Sequence, residues 1–409
     1  MSDTVRTRQT FRRELWRSAS SGILETAGST FLLLIAVKWF QAGANAKSLL
    51  AAGGSLGLLL TPVTVTVVLR WGWPPARAAS RLFALGAIAC AVMVAFPSEA
   101  VFVIAGILAM MTTSACIPLM TQIYQDNYPT ERRGQLYSRT FMVRIAATVL
   151  FGWVAGWWLT EHLAWYRVLL AAYGGAFIVA SVALAGIPSL PLRGNVLAHP
   201  LHALSLVAED RLFRQALYAW MLMGFANLMM LPMRVEYLAN PRFGLGRPSD
   251  EIALLTVVIP NLARLGLSPI WGWVFDRMNF FSLRVILNVG FALGILTFFT
   301  STSRTGLIVA AVVFGISNAG GDVAWGLWVT KLAPSGRVAD YMSVHTFLTG
   351  VRGVVAPFAA FHAVSRFSLG TLGGFSAMLI LGASLLLLPE IARLKGGKTP
   401  LVVPDNDPS

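Results

Sequence analysis

Two carboxylates and three arginines stand inside long apolar runs of this sequence: Glu25, Asp322, Arg144, Arg264 and Arg352. A charge at bilayer depth costs roughly 2.5–3.5 kcal/mol on insertion scales, so such residues usually face a partner or a water-filled cavity. A buried carboxyl group can take up and release protons near neutrality. The arginines can hold an anionic group or neutralise the two acids. Asn227 falls in a later run at a place corresponding to Glu25, and Asn318 lies one helical turn before Asp322, on the same face. Gly315, Gly320, Gly321 and Gly326 surround that pair and permit bending or close approach. Each feature also has a structural reading. Glu25 can pair with an interfacial arginine, Asn318 and Asp322 can form a packing face, and Arg144 can snorkel.

These residues must be positioned by membrane helices. The hydrophobic fraction is 56%, charged residues make up only 12%, and mean hydropathy is +0.67. A spanning helix needs about 20 mostly apolar residues. Twelve such windows fit the chain: 18–40, 46–69, 81–97, 99–123, 140–160, 163–187, 213–238, 251–275, 281–301, 305–331, 342–364 and 369–390. Long unbroken runs indicate helices, because barrel strands alternate over about ten residues. The expected fold class is an all-α polytopic membrane protein with 12 transmembrane helices in two six-helix bundles.

Net charge is +14, but its placement argues against nucleic acid. Most of the 32 Lys and Arg residues cluster before the first window, after the last, and in alternate loops. Positive charge marks the cytoplasmic side. Both termini are therefore expected in the cytoplasm, and the chain in the inner (plasma) membrane. Trp16, Trp71, Trp73, Trp271 and Trp273 fall near one expected interface. Trp39, Trp157, Trp158 and Trp165 fall near the other, as anchoring belts do. Cys90 and Cys116 both lie in windows, which excludes a disulfide framework. No cofactor or metal is expected: His199 and His202 have no carboxylate beside them, and no phosphate-loop motif occurs. An enzyme is not expected.

The longest polar stretch divides the windows six and six. The expected organisation is an N-terminal bundle over 1–187, a linker over 188–212, and a second bundle with a short tail over 213–409. Leu201, Leu204, Leu206 and Val207 suit one face of a surface helix in that linker. The halves echo one another in order. Arg70 and Arg77 correspond to Arg277 and Arg284; Pro129, Arg133 and Tyr137 to Pro334, Arg337 and Tyr341; Phe11-Arg12 to Phe213-Arg214. Two related bundles can rock about a central site and expose it to each side in turn.

On these features the sequence resembles the major facilitator superfamily over nearly its whole length. That family carries a G-x-x-x-D-R loop motif after the second helix of each half. Gly272, Asp276 and Arg277 fit it in the second half. In the first half Val65 and Leu69 stand in the Gly and Asp places and only Arg70 remains. Arg133 and Arg337 sit in loops resembling the family's 4–5 and 10–11 loops. The resemblance implies a gating role for Gly272, Asp276, Arg277, Arg133 and Arg337, with charge-assisted bonds that form in one state and break in the other. The helix-five Gly-Pro motif of drug antiporters is absent. Gly152 and Gly156 suit close helix packing instead.

The resemblance implies a secondary active transporter, monomeric in the lipid bilayer, moving a small molecule, with H+ as the expected coupling ion. Glu25, Asn227, Asn318, Asp322, Arg144, Arg264 and Arg352 are the expected substrate- or proton-binding residues. Two alternatives remain open at this stage: a transporter-like partner or sensor that no longer transports, and a polytopic lipid enzyme.

Overall fold

The structure is a computed structural model that describes residues 3–129, 131–192, 205–333 and 338–395. Among the described residues there is no strand. Eleven helices among the described residues are each long and apolar enough to cross a membrane: α1 (Thr4–Lys38), α3 (Pro75–Ala95), α4 (Glu99–Asn127), α5 (Arg133–Glu161), α6 (Leu163–Ala185), α7 (Arg211–Ala239), α8 (Ser249–Arg277), α9 (Phe280–Thr300), α10 (Arg304–Trp325), α11 (Tyr341–Ala363) and α12 (Leu369–Arg393). The twelfth, α2, is a broken span, Ala44–Leu59 followed by Thr61–Arg70, bent by 45°. Pro62 near the start of its second piece explains the break, because its ring cannot continue the helical ladder. Pro118 does the same milder work in α4, which is interrupted at Cys116.

Several helices start where polar side chains satisfy free backbone amides. Asp210 accepts from Phe213 N at 2.9 Å before α7, Ser303 from Gly306 N at 3.1 Å before α10, and Ser368 from Thr371 N at 3.1 Å before α12. The first helix begins well before residue 18. Its opening turns bury Thr10, Glu14 and Ser18. Glu14 accepts from Arg17 and from the Tyr124 hydroxyl, each at 2.5 Å, which explains why these polar turns remain helical.

The packing order recurs. In the first half α1 packs on α5 and α6, α2 on α4, and α3 on α4 and α6. In the second, α7 packs on α11 and α12, α8 on α10, and α9 on α10 and α12, the same set advanced by six helices. Between the halves, α2 packs on α11 and α5 on α8, two contacts that exchange under the same shift. The repeated polar loops of the sequence are thus matched by a repeated helix order.

Small residues set the approach of α5 to α8. A Cβ on Gly156 would stand 2.5 Å from Ala253 Cβ, and one on Gly152 would stand 2.6 Å from a Val257 methyl. Outward faces carry Trp16, Trp71, Trp273, Trp157 and Trp165, all exposed. Trp271 is not at the surface in the same way, since it packs against Gly320 on α10. Linker residues 193–204, which include Leu201 and Leu204 of the expected surface helix, lie outside the described residues, as do residues 334–337 and 396–409. Leu206 begins a single described helical turn, Leu206–Glu209.

Candidate functional site

Glu25 on α1 lies two residues before a stretch where the ladder widens to a π turn, Ala27–Phe31. On the facing helix α8 a second π turn, Leu254–Val258, precedes Pro260. Such turns are rare and cluster at functional positions, because they re-aim the side chains beyond them. Here the two meet: Thr30 and Thr256 hydroxyls are 3.0 Å apart across the halves. The Asn261 amide donates to Val257 O at 2.8 Å, and its carbonyl accepts from Arg264 at 3.2 Å. The widened backbone and the arginine are therefore tied together.

Four charges meet at this level. Arg264 Nη1 donates to Glu25 Oε1 at 2.8 Å, and Arg144 Nε of α5 donates to Glu25 Oε2 at 2.7 Å. Arg264 Nε also donates to Asp322 Oδ2 of α10. Arg264 thus bridges one acid from each half. The Phe141 ring lies beneath both guanidiniums, 5.1 Å from Arg264 and 6.0 Å from Arg144. Side-chain exposure is 13% for Arg264, 20% for Glu25, 35% for Arg144 and 39% for Asp322. Charges at mid-span with that much exposure line a space rather than a sealed core.

The other expected site residues are placed differently. Arg352 does not reach the network. Its Nη1 donates to Trp220 O on α7, and the guanidinium rests on Gly224, where a Cβ would stand 2.0 Å from it. Asn227 Oδ1 is buried with no hydrogen-bond partner, and Asn227 makes no bond to Glu25. Asn318 shares the Asp322 helix but makes no side-chain hydrogen bond among the described residues. Gly315 explains part of the glycine cluster: a Cβ there would stand 2.5 Å from Pro260 O, so the residue allows α10 to lie against α8.

Among the described residues, hydrogen bonds between the halves are confined to this level and to the side away from the termini. Lys47 Nζ on α2 donates to Glu236 Oε1 on α7 at 2.6 Å, a pair with side chains 9% and 0% exposed. Asn240 holds the same carboxylate oxygen at 2.8 Å. Thr160 on α5 bonds Asp250 at the start of α8 at 3.0 Å, and Lys38 donates to Arg247 O at 2.5 Å. A narrow cavity of about 50 Å³ between the halves, with Gly28, Ser29, Leu32, Leu50, Leu228 and Gly353 in its wall, lies between the network and this seal. Among the described residues, no hydrogen bond joins the halves on the terminal side of Glu25 and Arg264.

The expected gate residues lie on that unjoined side. Asp276 and Arg277 are exposed and unpaired with each other; Arg277 stacks on Trp273 with 4.4 Å to the ring centroid. A Cβ on Gly272 would meet nothing within 4 Å. Arg133 donates to Gln125 O at 3.1 Å and Tyr128 O at 3.3 Å, capping the end of α4 within its own half. Arg337 lies outside the described residues.

Several charged residues escaped the sequence reading. Lys47 and Glu236, neither of them a candidate in the sequence, form one buried pair in the fold. Arg284 was counted with a loop and is 2% exposed inside α9. Phe141 had a legible signal, an aromatic one turn before Arg144 on the same helix face.

Residues 19–357 match the Major Facilitator Superfamily profile. No curated protein matches the sequence. Among solved structures, the nucleoside transporter NupG is similar, with a TM-score of 0.74 at 10% identity over 96% of this chain and 99% of that one. The xylose transporter XylE from E. coli, in an inward-open conformation, aligns with a TM-score of 0.67 at 15% identity over 95% and 96%. A D-xylose-proton symporter aligns with a TM-score of 0.70 at 16% identity over 93% and 96%. At these identities the likeness is one of fold. With the profile spanning most of the chain, this multi-pass membrane protein is a member of the Major Facilitator Superfamily.

Proposed function

We propose that the protein is a proton-coupled secondary transporter of a small polar molecule, working by alternating access between its halves. The observation that carries this reading is Arg264, which joins Glu25 of the first half to Asp322 of the second. Protonation of either acid weakens its hold on Arg264 and frees the halves to rock. The substrate site is the space beside this network, bounded by α1, α5, α8 and α10 and reached from the unsealed side. Two acids and two arginines leave no net formal charge there, which suits an uncharged or zwitterionic polar solute. Phe141 offers an apolar platform beside the polar groups.

Asn227 and Asn318 are proposed as further polar contacts for substrate when it enters. Arg352 is left out of this site because it is committed to α7. In the opposite state, Asp276 and Arg277 would latch the terminal side, with Arg133 and Arg337 at the neighbouring loops. The two halves, divided at the 188–212 linker, are the moving bodies. The termini are assigned to the cytoplasm of an inner-membrane protein by the distribution of basic residues, so the state observed faces inward.

The test begins with thermal stabilisation of the purified protein by a library of polar metabolites at pH 6 and pH 8, since a bound ligand stabilises by mass action. A stabilising compound is then assayed for uptake or efflux in proteoliposomes with an imposed pH gradient. The reading holds if transport follows the gradient and Glu25→Gln or Asp322→Asn uncouples it. It fails if both variants transport with unchanged pH dependence.

A further inference from the structure

A second cluster of cations lies in the second half, apart from the network. Arg284 on α9 is 2% exposed, and its guanidinium sits 4.1 Å from the Trp220 ring centroid. Arg352 on α11 donates to the backbone carbonyl of the same Trp220. His345, one helical face along α11, is fully buried, with its ring 5.2 Å from Trp220 and 5.1 Å from Trp328. Two arginines and a histidine therefore meet at Trp220, Arg284 and His345 on its indole and Arg352 on its backbone carbonyl.

Their donors are not used up. Arg284 spends its Nε on Asn288 Oδ1 at 2.9 Å, but its Nη2 has no partner. Arg352 Nε, both ring nitrogens of His345, and the indole N–H groups of Trp220 and Trp328 are likewise buried without partners. Thr349 Oγ1, one turn beyond His345, completes the set. Among the described residues no carboxylate pairs with Arg284 or Arg352. Elsewhere in this protein the buried Lys47 and the partly buried Arg17 and Arg264 each have an acid, while the buried Arg234 rests on the Phe314 ring. Leaving two like charges and so many donors unsatisfied in an aromatic enclosure is costly. A partner that would satisfy them all is an acceptor carrying negative charge.

We infer that this cluster is a binding site for an oxyanion group, a carboxylate or a phosphate. The group enters past the partly exposed Arg352 and accepts from Arg284, Arg352, His345 and the indoles of Trp220 and Trp328. The donor chemistry selects the class. Guanidinium forks match planar or tetrahedral oxygens, the indoles donate only, and the imidazole presents one N–H in either tautomer. A further cation would be repelled by the two arginines, which have no carboxylate beside them among the described residues. Gly224 belongs to the site because a side chain there would occupy the place of the Arg352 guanidinium. The inference does not depend on proton coupling at Glu25 and Asp322.

The test is equilibrium binding of labelled inorganic phosphate and labelled acetate to the purified full-length protein at fixed ionic strength. The expected result is one saturable site for at least one of these anions. Binding should weaken at least tenfold in Arg284→Met or Arg352→Met and in His345→Gln, and be unchanged by Arg366→Met on the exposed surface. Should the arginine variants not fold, His345→Gln, which removes no charge, carries the comparison. Absence of saturable binding of either anion to the wild-type protein overturns the inference. So does binding that every folded cluster variant retains at full strength.

Discussion

Arg264 of the second half and Glu25 of the first are joined at 2.8 Å, while the same guanidinium holds Asp322 within its own half. One side chain is thus shared between an inter-half bond and an intra-half bond. In the mechanism we propose, an event that alters either acid redistributes Arg264, and a proton or a substrate changes the relation of the two halves in this way.

Removing Arg264 leaves two carboxylates facing each other without their shared cation. Arg264→Gln should lower the melting temperature more than Glu25→Gln does. A double-mutant cycle between Glu25 and Arg264 should return a coupling of roughly 0.5–3 kcal/mol, the range of contacting pairs. Additive effects would show that the bond does not contribute.

On the far side, Lys47 and Glu236 form a buried pair. Breaking one partner of such a pair costs about 3–5 kcal/mol, whereas replacing both by apolar residues is often neutral. Lys47→Met alone should therefore destabilise the observed state and raise the labelling of a cysteine placed at Ser29 by reagents added on the far side. Lys47→Met combined with Glu236→Leu should restore both towards wild type.

Gly156 has no room for a side chain beside Ala253 and the Asp250 backbone. Gly156→Leu should wedge α5 from α8 and favour the opposite state. A disulfide between Thr160→Cys and Asp250→Cys, efficient in the parent, should then form poorly. Unchanged cross-linking would mean the helices separate elsewhere.

Asp276 and Arg277 are solvent-exposed in the observed state. Asp276→Asn should leave thermal stability within about 0.5 kcal/mol of wild type, as surface changes do. It should nevertheless slow net transport, because the latch proposed for it belongs to the other state. A large stability loss with normal transport would place Asp276 in a structural role instead.

The twelve spans were legible because each is a long apolar run, and hydropathy reads length and composition directly. Their edges were less so. The first window began at residue 18, yet the helix starts with polar turns that Glu14, Arg17 and Tyr124 satisfy among themselves. Candidate site residues were legible where charge in an apolar run is itself the signal, as for Glu25, Arg144, Arg264 and Asp322, which the fold brings together. Arg352 gave the same signal and went elsewhere, since a sequence does not reveal that Gly224 leaves a bed for its guanidinium. Neither π turn had a sequence signature. Arg284 and Glu236 were hidden because, near the end of a span, a buried charge reads like a loop charge.

The central claim is that protonation at Asp322 loosens the hold of Arg264 on the two halves. Its most direct test is the distance between spin labels placed on the terminal ends of α4 and α10, followed from pH 5 to pH 8 in the wild type and in Asp322→Asn. The account predicts a distance distribution that shifts with pH in the wild type and is fixed in the variant. An identical pH-driven shift in both proteins would contradict it.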